Sequence, residues 1–241
     1  MAVYLSALYA ELGQWGRRLG RVPVESVFFG GGTPSLLDPD QLAGVLDCAG
    51  RTFEVLPGAE ISMEANPDSL HTAEKASGFL AAGVNRISLG VQSLHDGMLE
   101  TLGRLHRANA ARKAFRAIRE AGCANLNLDL MWGLPGQTLE QWLEDARAAI
   151  ALGPEHISAY GLTLEPGTPP AGMRSCLRKT CSAPCILKAS GCLRRLGCII
   201  MKYPTLPGMV SGAATIWGTG KAGTIWGSAL RRHPRSAGSA G

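Results

Sequence analysis

Acidic side chains are missing from the C-terminal part of this chain. All 19 Asp and Glu of the 241 residues lie before residue 170, with 13 of the 24 Lys and Arg. Residues 1–169 are thus net −6, and residues 170–241 carry the other 11 bases and no acid, so the overall +5 averages two unlike segments. An acid-free basic tail invites a nucleic-acid reading. Aromatics are also scarce, at 6%; the tail shows neither aromatic interleaving nor helical register, which ranks that reading last. No run approaches the roughly 18 uninterrupted apolar residues of a membrane helix. Met1-Ala-Val-Tyr-Leu-Ser has no basic start followed by an apolar run, so no secretory signal is expected, and a cytoplasmic protein with reduced thiols is. No cysteine precedes Cys48. In the tail, Cys176, Cys181, Cys185, Cys192 and Cys198 form no Cys-x-x-Cys and have no paired His, so they fit no metal pattern. Gly218-Thr-Gly-Lys-Ala222 lacks the Ser or Thr of a phosphate-binding loop.

What is present is a repeated unit. With 46% apolar and 18% charged residues, the chain has the composition and length for one sizeable core. Leu5, Leu8, Tyr9, Leu12 and Trp15 recur at helical spacing over residues 4–19. The first β-rich run, residues 24–29, ends in Gly30-Gly-Gly-Thr-Pro34; Asp38 then reads as an N-cap with Pro39 first in the helix and Gln41 completing a capping box. A second run covers residues 60–67 and is followed by a helix closed by Gly83. A third covers 84–92, with helical residues to Ala121 and Gly122 as the stop. A fourth covers 126–132, then a helix to about Leu152, and a fifth starts at His156. Strands alternating with helices at this spacing predict parallel βαβ architecture, an α/β barrel or a doubly wound sheet. Gly, Thr, Glu, Asn, Gln and Asp gather at the C-terminal ends of the strands, where such folds build ligand sites.

Single residues narrow the chemistry. Gly30-Gly-Gly-Thr-Pro34 lets a polar group approach bare backbone N–H groups; it is neither a dinucleotide fingerprint nor a phosphate loop. Glu64, at a strand tip before Asn-Pro, could hold an amine or a pair of hydroxyls. Gln92 and Asp129 occupy equivalent places on later strands. Asp129 sits in an otherwise apolar run, where an unpaired charge is costly, so it is expected to be hydrogen-bonded. Arg104 could pair with a carboxylate.

Together these segments resemble the radical SAM enzymes of the oxygen-independent coproporphyrinogen III oxidase family, and most closely its HemW-type haem chaperone branch. The matching wording is FFGGGTPSLL, EANPDSL, GVNRISLGVQSL, LGRLHRA, NLDLMWGLPGQT and HISAYGLTLEPGTP, and the resemblance covers residues 4 to about 169. The resemblance implies an α/β fold, a partial (β/α)6 barrel, with S-adenosylmethionine and a [4Fe–4S] cluster as cofactors. By motif position, Gly31, Gly32 and Thr33 would contact the methionine part of S-adenosylmethionine, and Glu64, Gln92, Arg104 and Asp129 its remaining polar groups. The reduced cluster would cleave that cofactor to a 5′-deoxyadenosyl radical. A porphyrinogen is the implied substrate in the oxidase branch; in the chaperone branch haem is bound and passed to haem-receiving proteins.

The family's CxxxCxxC cluster motif belongs on a first strand upstream of the helix at residues 4–19. The expectation is therefore a barrel lacking its first strand, an inactive fragment, followed by a non-native C-terminal tail. Read one base out of register, the codons from Cys198 onward permit wording close to the family's own continuation, including SNFAR and HNLxYW. The tail thus resembles a frameshifted reading that slips near Pro169-Pro170, and residues 170–241 are expected to lack order.

Overall fold

The computed structural model describes residues 1–162, together with the backbone of 199–202 and 213–217. Helix α1, Ala2–Leu19, lays one apolar stripe on the sheet-and-helix layer: Leu5, Leu8, Tyr9 and Leu12 pack with Leu37, Val45 and Phe29. The chain then enters β1, Pro23–Phe29. Helix α2, Pro39–Thr52, starts as its sequence demands: Asp38 and Gln41 form the capping box, the Asp38 N–H donating to Gln41 Oε1 at 3.1 Å.

Strand β2, Glu54–Ala65, begins well before the expected residue 60. Pro57-Gly58 rides inside the strand as a bulge. The pairing jumps from Val24 opposite Val55 to Ser26 opposite Glu60. Helix α3, Ala73–Ala81, is capped by Thr72, whose Oγ1 accepts from the Lys75 N–H at 3.3 Å. After β3, Arg86–Gln92, the single helix expected up to residue 121 is two, α4, Asp96–Thr101, and α5, Ala108–Glu120. The break has a physical cause. Gly103 turns the chain with φ 66°, and His106 is drawn inward to sit 3.2 Å from the Val91 carbonyl. Strand β4, Leu126–Trp132, helix α6, Leu139–Leu152, and strand β5, His156–Gly161, complete the run, with a second capping box at Thr138 and Gln141.

The five strands pair in chain order and all in parallel. They form a curled half-barrel, the α/β partial barrel anticipated. Two short strands, β6 (Ile199–Lys202) and β7 (Ala213–Trp217), extend it antiparallel in the order β5–β7–β6. Ile-Ile-Met-Lys and Ala-Ala-Thr-Ile-Trp are rich in strand-forming types, and the open edge of β5 offers unpaired N–H and C=O groups to them. The rest of residues 170–241 lies outside the described residues, as do residues 163–169.

Period-two alternation divides the strands. Met63, Ala65, Ile87, Leu89, Val91, Leu126, Leu128, Leu130, Ile157 and Ala159 face the helices and form the core with Leu42, Phe79, Phe115, Ile118 and Trp142. The residues between them face the inside of the curl and are largely polar. Among the described residues no helix is long and apolar enough to cross a membrane.

Candidate functional site

Because the five strands are parallel, their C-terminal tips share one rim. The loop after β1 leaves through Gly31 and Gly32, both at positive φ with open space where a Cβ would stand. This backbone is therefore bare toward the cleft. The Gly31 N–H donates to Glu64 Oε2 at 3.1 Å, which ties the loop to the tip of β2. One residue further, Asn66 Nδ2 donates to Thr33 Oγ1 at 3.1 Å. Behind this pair, the half-buried Lys75 donates its ammonium to the Ser35 carbonyl at 2.7 Å and to the Ser69 carbonyl at 3.2 Å, locking the two loops together.

Asp129 is on β4 and needs partners, as expected of a carboxylate in an apolar run. It has them. Ser88 Oγ donates to Oδ2 at 2.7 Å and Asn127 Nδ2 donates to Oδ1 at 2.8 Å. Desolvation still pushes its carboxyl above the usual range, and the neighbouring Glu64 charge adds to that against the two hydrogen bonds. The network continues down the inner face. Asn127 Nδ2 also donates to Ser88 Oγ at 2.6 Å, and Asn127 Oδ1 accepts from Ser158 Oγ at 3.2 Å and lies against His156 Nδ1. Arg86 Nη2 is 3.3 Å from that same ring nitrogen. Burial first, and then the Arg86 cation, pull the His156 imidazole down to about 4.

These groups border one cleft of about 240 Å³, lined by Gly32, Thr33, Glu64, Asn66, Gln92, Arg104, Asp129 and Tyr160 among others. Six of the seven site residues anticipated from sequence line it. The seventh, Gly31, is bonded to one of them. Sequence reasoning missed Asn66, Ser88, Gly90 and Tyr160. For Ser88, Gly90 and Tyr160 the signal was available as alternation: Arg86, Ser88, Gly90, Gln92 on one strand and His156, Ser158, Tyr160 on another. They alternate with the buried apolar Ile87, Leu89 and Val91 on the first strand and Ile157 and Ala159 on the second. Gly90 is needed for space. A Cβ there would lie 2.9 Å from Gln92 Nε2 and 3.0 Å from Asn66 Oδ1.

The described cysteines are elsewhere. Cys48 is within α2, and Cys123 is buried ahead of β4, its thiol donating to the Asn125 carbonyl at 3.4 Å. Among the described residues no group of His, Cys, Asp and Glu could hold a metal.

A sequence model of the radical SAM superfamily matches residues 8–149, which contain every one of the seven site residues. The chain belongs to the radical SAM superfamily. It is 43% identical over 164 residues to the haem chaperone HemW of Haemophilus influenzae, a match covering 68% of this chain and 43% of that one. HemW of Bacillus subtilis is 41% identical over 168 residues, covering 68% and 44%. The solved structure of the coproporphyrinogen III oxidase HemN of Escherichia coli, a radical SAM enzyme, superposes with a TM-score of 0.71 at 25% identity. That superposition covers 90% of this chain and 48% of HemN. Within the superfamily this is thus a HemW- and HemN-type member. The chain spans less than half the length of these curated relatives. Radical SAM proteins as a group use S-adenosylmethionine and a [4Fe–4S] cluster, and the radical SAM core here is the half-barrel whose rim carries the cleft.

Proposed function

We propose that the cleft binds S-adenosylmethionine in a protein of haem or porphyrinogen handling. One observation carries this reading: a bare-backbone loop, one free carboxylate edge and one guanidinium meet at a single rim. A methionine moiety presents the complementary set, an ammonium and a carboxylate. Glu64 accepts the Gly31 N–H at Oε2, which fixes its orientation and leaves Oε1 to accept from an ammonium. Arg104 supplies donors to the carboxylate. Asp129, oriented by Ser88 and Asn127, and Gln92 are acceptors and donors for hydroxyls and ring nitrogens. The bound cofactor would supply a hydrogen-abstracting radical in the presence of a reduced cluster. Cys48 and Cys123, inside the fold and away from the rim, do not fit as ligands of that cluster, so the role assigned to the described residues is cofactor binding.

Calorimetric titration under anaerobic conditions tests the cleft. Glu64→Gln is expected to weaken S-adenosylmethionine binding by about tenfold, the scale of one charge-assisted contact. Affinity within about twofold of the parent would remove Glu64 from the site. Likeness to HemW favours haem as the second ligand. A stoichiometric Soret shift on titration is the expected result, and its absence would leave the porphyrinogen reading.

For the tail we propose a shifted reading frame beginning near Pro169-Pro170. DNA sequence across codons 165 to 182 should show the slip. An intact frame, with no alternative frame encoding the family-like continuation, would sink that proposal.

A further inference from the structure

Gln92 is the one residue other than glycine with positive φ among the described residues, at 65°. The Ser93 N–H donates to the Val91 carbonyl at 2.8 Å, so Gln92 is the centre of a three-residue γ-turn of the rare, strained hand. The turn lies where β3 pairs irregularly with β4, between Gly90 and Gln92. Its effect is to fold the side chain back over Gly90, so that the carboxamide borders the cleft. Alternation alone would place residue 92 on the same inward face as Ser88 and Gly90; the turn adds the backward fold that lays the carboxamide over Gly90.

Something outside the turn must hold it, and a second unusual group is bonded to its far side. Asp145, on α6, is fully buried. Burial pushes its carboxyl up, opposed by the bonds it accepts and by His95. A carboxylate in that position is costly unless its bonds are needed. Both bonds land on the two residues after Gln92: Ser93 Oγ donates to Oδ2 at 2.7 Å, and the Leu94 N–H donates to Oδ1 at 2.6 Å. The His95 N–H then donates to Ser93 Oγ at 3.1 Å. On the near side, buried His106 sets Nε2 3.2 Å from the Val91 carbonyl.

We propose that Asp145 is a positioning residue for Gln92: by clamping Ser93 and Leu94 it holds the left-handed turn that folds the Gln92 carboxamide back over Gly90 at the border of the cleft. The effect on ligand affinity rests on the cofactor reading above, whereas the clamp on the turn does not. Asp145 touches no ligand itself. The hydrogen bonds of Asp145 reach the rim through the turn.

The test is a double-mutant cycle on the full chain between Asp145→Ala and Gln92→Gly, read by S-adenosylmethionine calorimetry and by amide exchange of the peptide spanning residues 91–95. Glycine adopts positive φ without strain but has no carboxamide. Asp145→Ala is expected to weaken binding by about tenfold in the parent and to change it no further once Gln92 is glycine, the signature of two coupled groups. Asp145→Asn keeps an acceptor for the Leu94 N–H and is expected to restore most of the affinity. It also serves if the alanine variant fails to fold. Without ligand, Asp145→Ala should accelerate exchange in the parent more than in the Gln92→Gly protein. Equal acceleration in both backgrounds, or equal losses of affinity in both, overturns the proposal and makes Asp145 a general anchor of α4. A parent that binds no S-adenosylmethionine defeats the cofactor reading alone, and the exchange cycle then decides the role of Asp145.

Discussion

Asn127→Leu should destabilise the fold by about 3–5 kcal/mol, the scale of breaking a buried polar network by removing one partner. Asn127 is 2% exposed and is the hub of the inner face. Its amide donates to Asp129 and Ser88, and its carbonyl accepts from Ser158 beside His156. Leucine of similar volume fills the space but leaves Asp129 Oδ1 without its donor and Ser158 without its acceptor. It leaves the Asp129 carboxylate with Ser88 as its remaining donor and unpairs neutral groups as well, which is why the cost exceeds that of one lost hydrogen bond. Typical domains have about 5–15 kcal/mol in total, so the variant should approach the folding threshold. Urea unfolding checks it through the midpoint at constant m. A loss under about 1 kcal/mol would mean that water replaces Asn127, and the hub would be dispensable.

Acid should weaken the protein through His156, and the sign follows from the imidazole. Burial and the facing Arg86 lower it from 6.5 in the unfolded chain to about 4 in the native one. Between those values the unfolded chain takes up a proton that the native state refuses. The stability contributed by the neutral ring is complete above pH 6.5 and lost as pH falls toward 4. The full loss is about 3 kcal/mol at 1.36 kcal/mol per pH unit. Asp129 and Asp145 act in the opposite direction. Desolvation raises both carboxyls, and the cost of their buried charge fades as acid protonates them. The difference between the parent and His156→Gln, measured as unfolding free energy against pH, isolates the histidine. That difference should shrink steadily from pH 6.5 to 4. A flat difference would place a proton on His156 in the native state.

The features legible in advance are those with local causes. Capping residues at Asp38 and Thr138, apolar spacing in α1 and the glycine-rich exit of β1 each announce themselves within a few positions. Five strand tips could be ranked as one rim because parallel strands leave no other arrangement. What escaped reading depends on contacts distant in sequence. Ser88 matters because Asp129 lies 41 positions away, and Lys75 because it reaches the Ser35 carbonyl 40 positions back. The break at residues 102–107 is set by His106 meeting Val91, which no helical propensity encodes. The early start of β2 at Glu54 depends on pairing with β1, which takes Pro57-Gly58 up in a bulge. The positive φ of Gln92 left no trace in composition, since glutamine rarely adopts it.

The alternation of β3, β4 and β5 has an evolutionary consequence. Helix-facing letters (Ile87, Leu89, Val91; Leu126, Leu128, Leu130; Ile157, Ala159) spell stability, while the letters between them spell ligand chemistry. Two messages are interleaved in one ribbon, and they overlap only deeper on the inner face, where Asn127 and His156 serve stability. A lineage could rewrite the inward message to suit a different cargo while the outward one stayed untouched. Drift in the core, likewise, would pass largely unread by whatever the cleft receives.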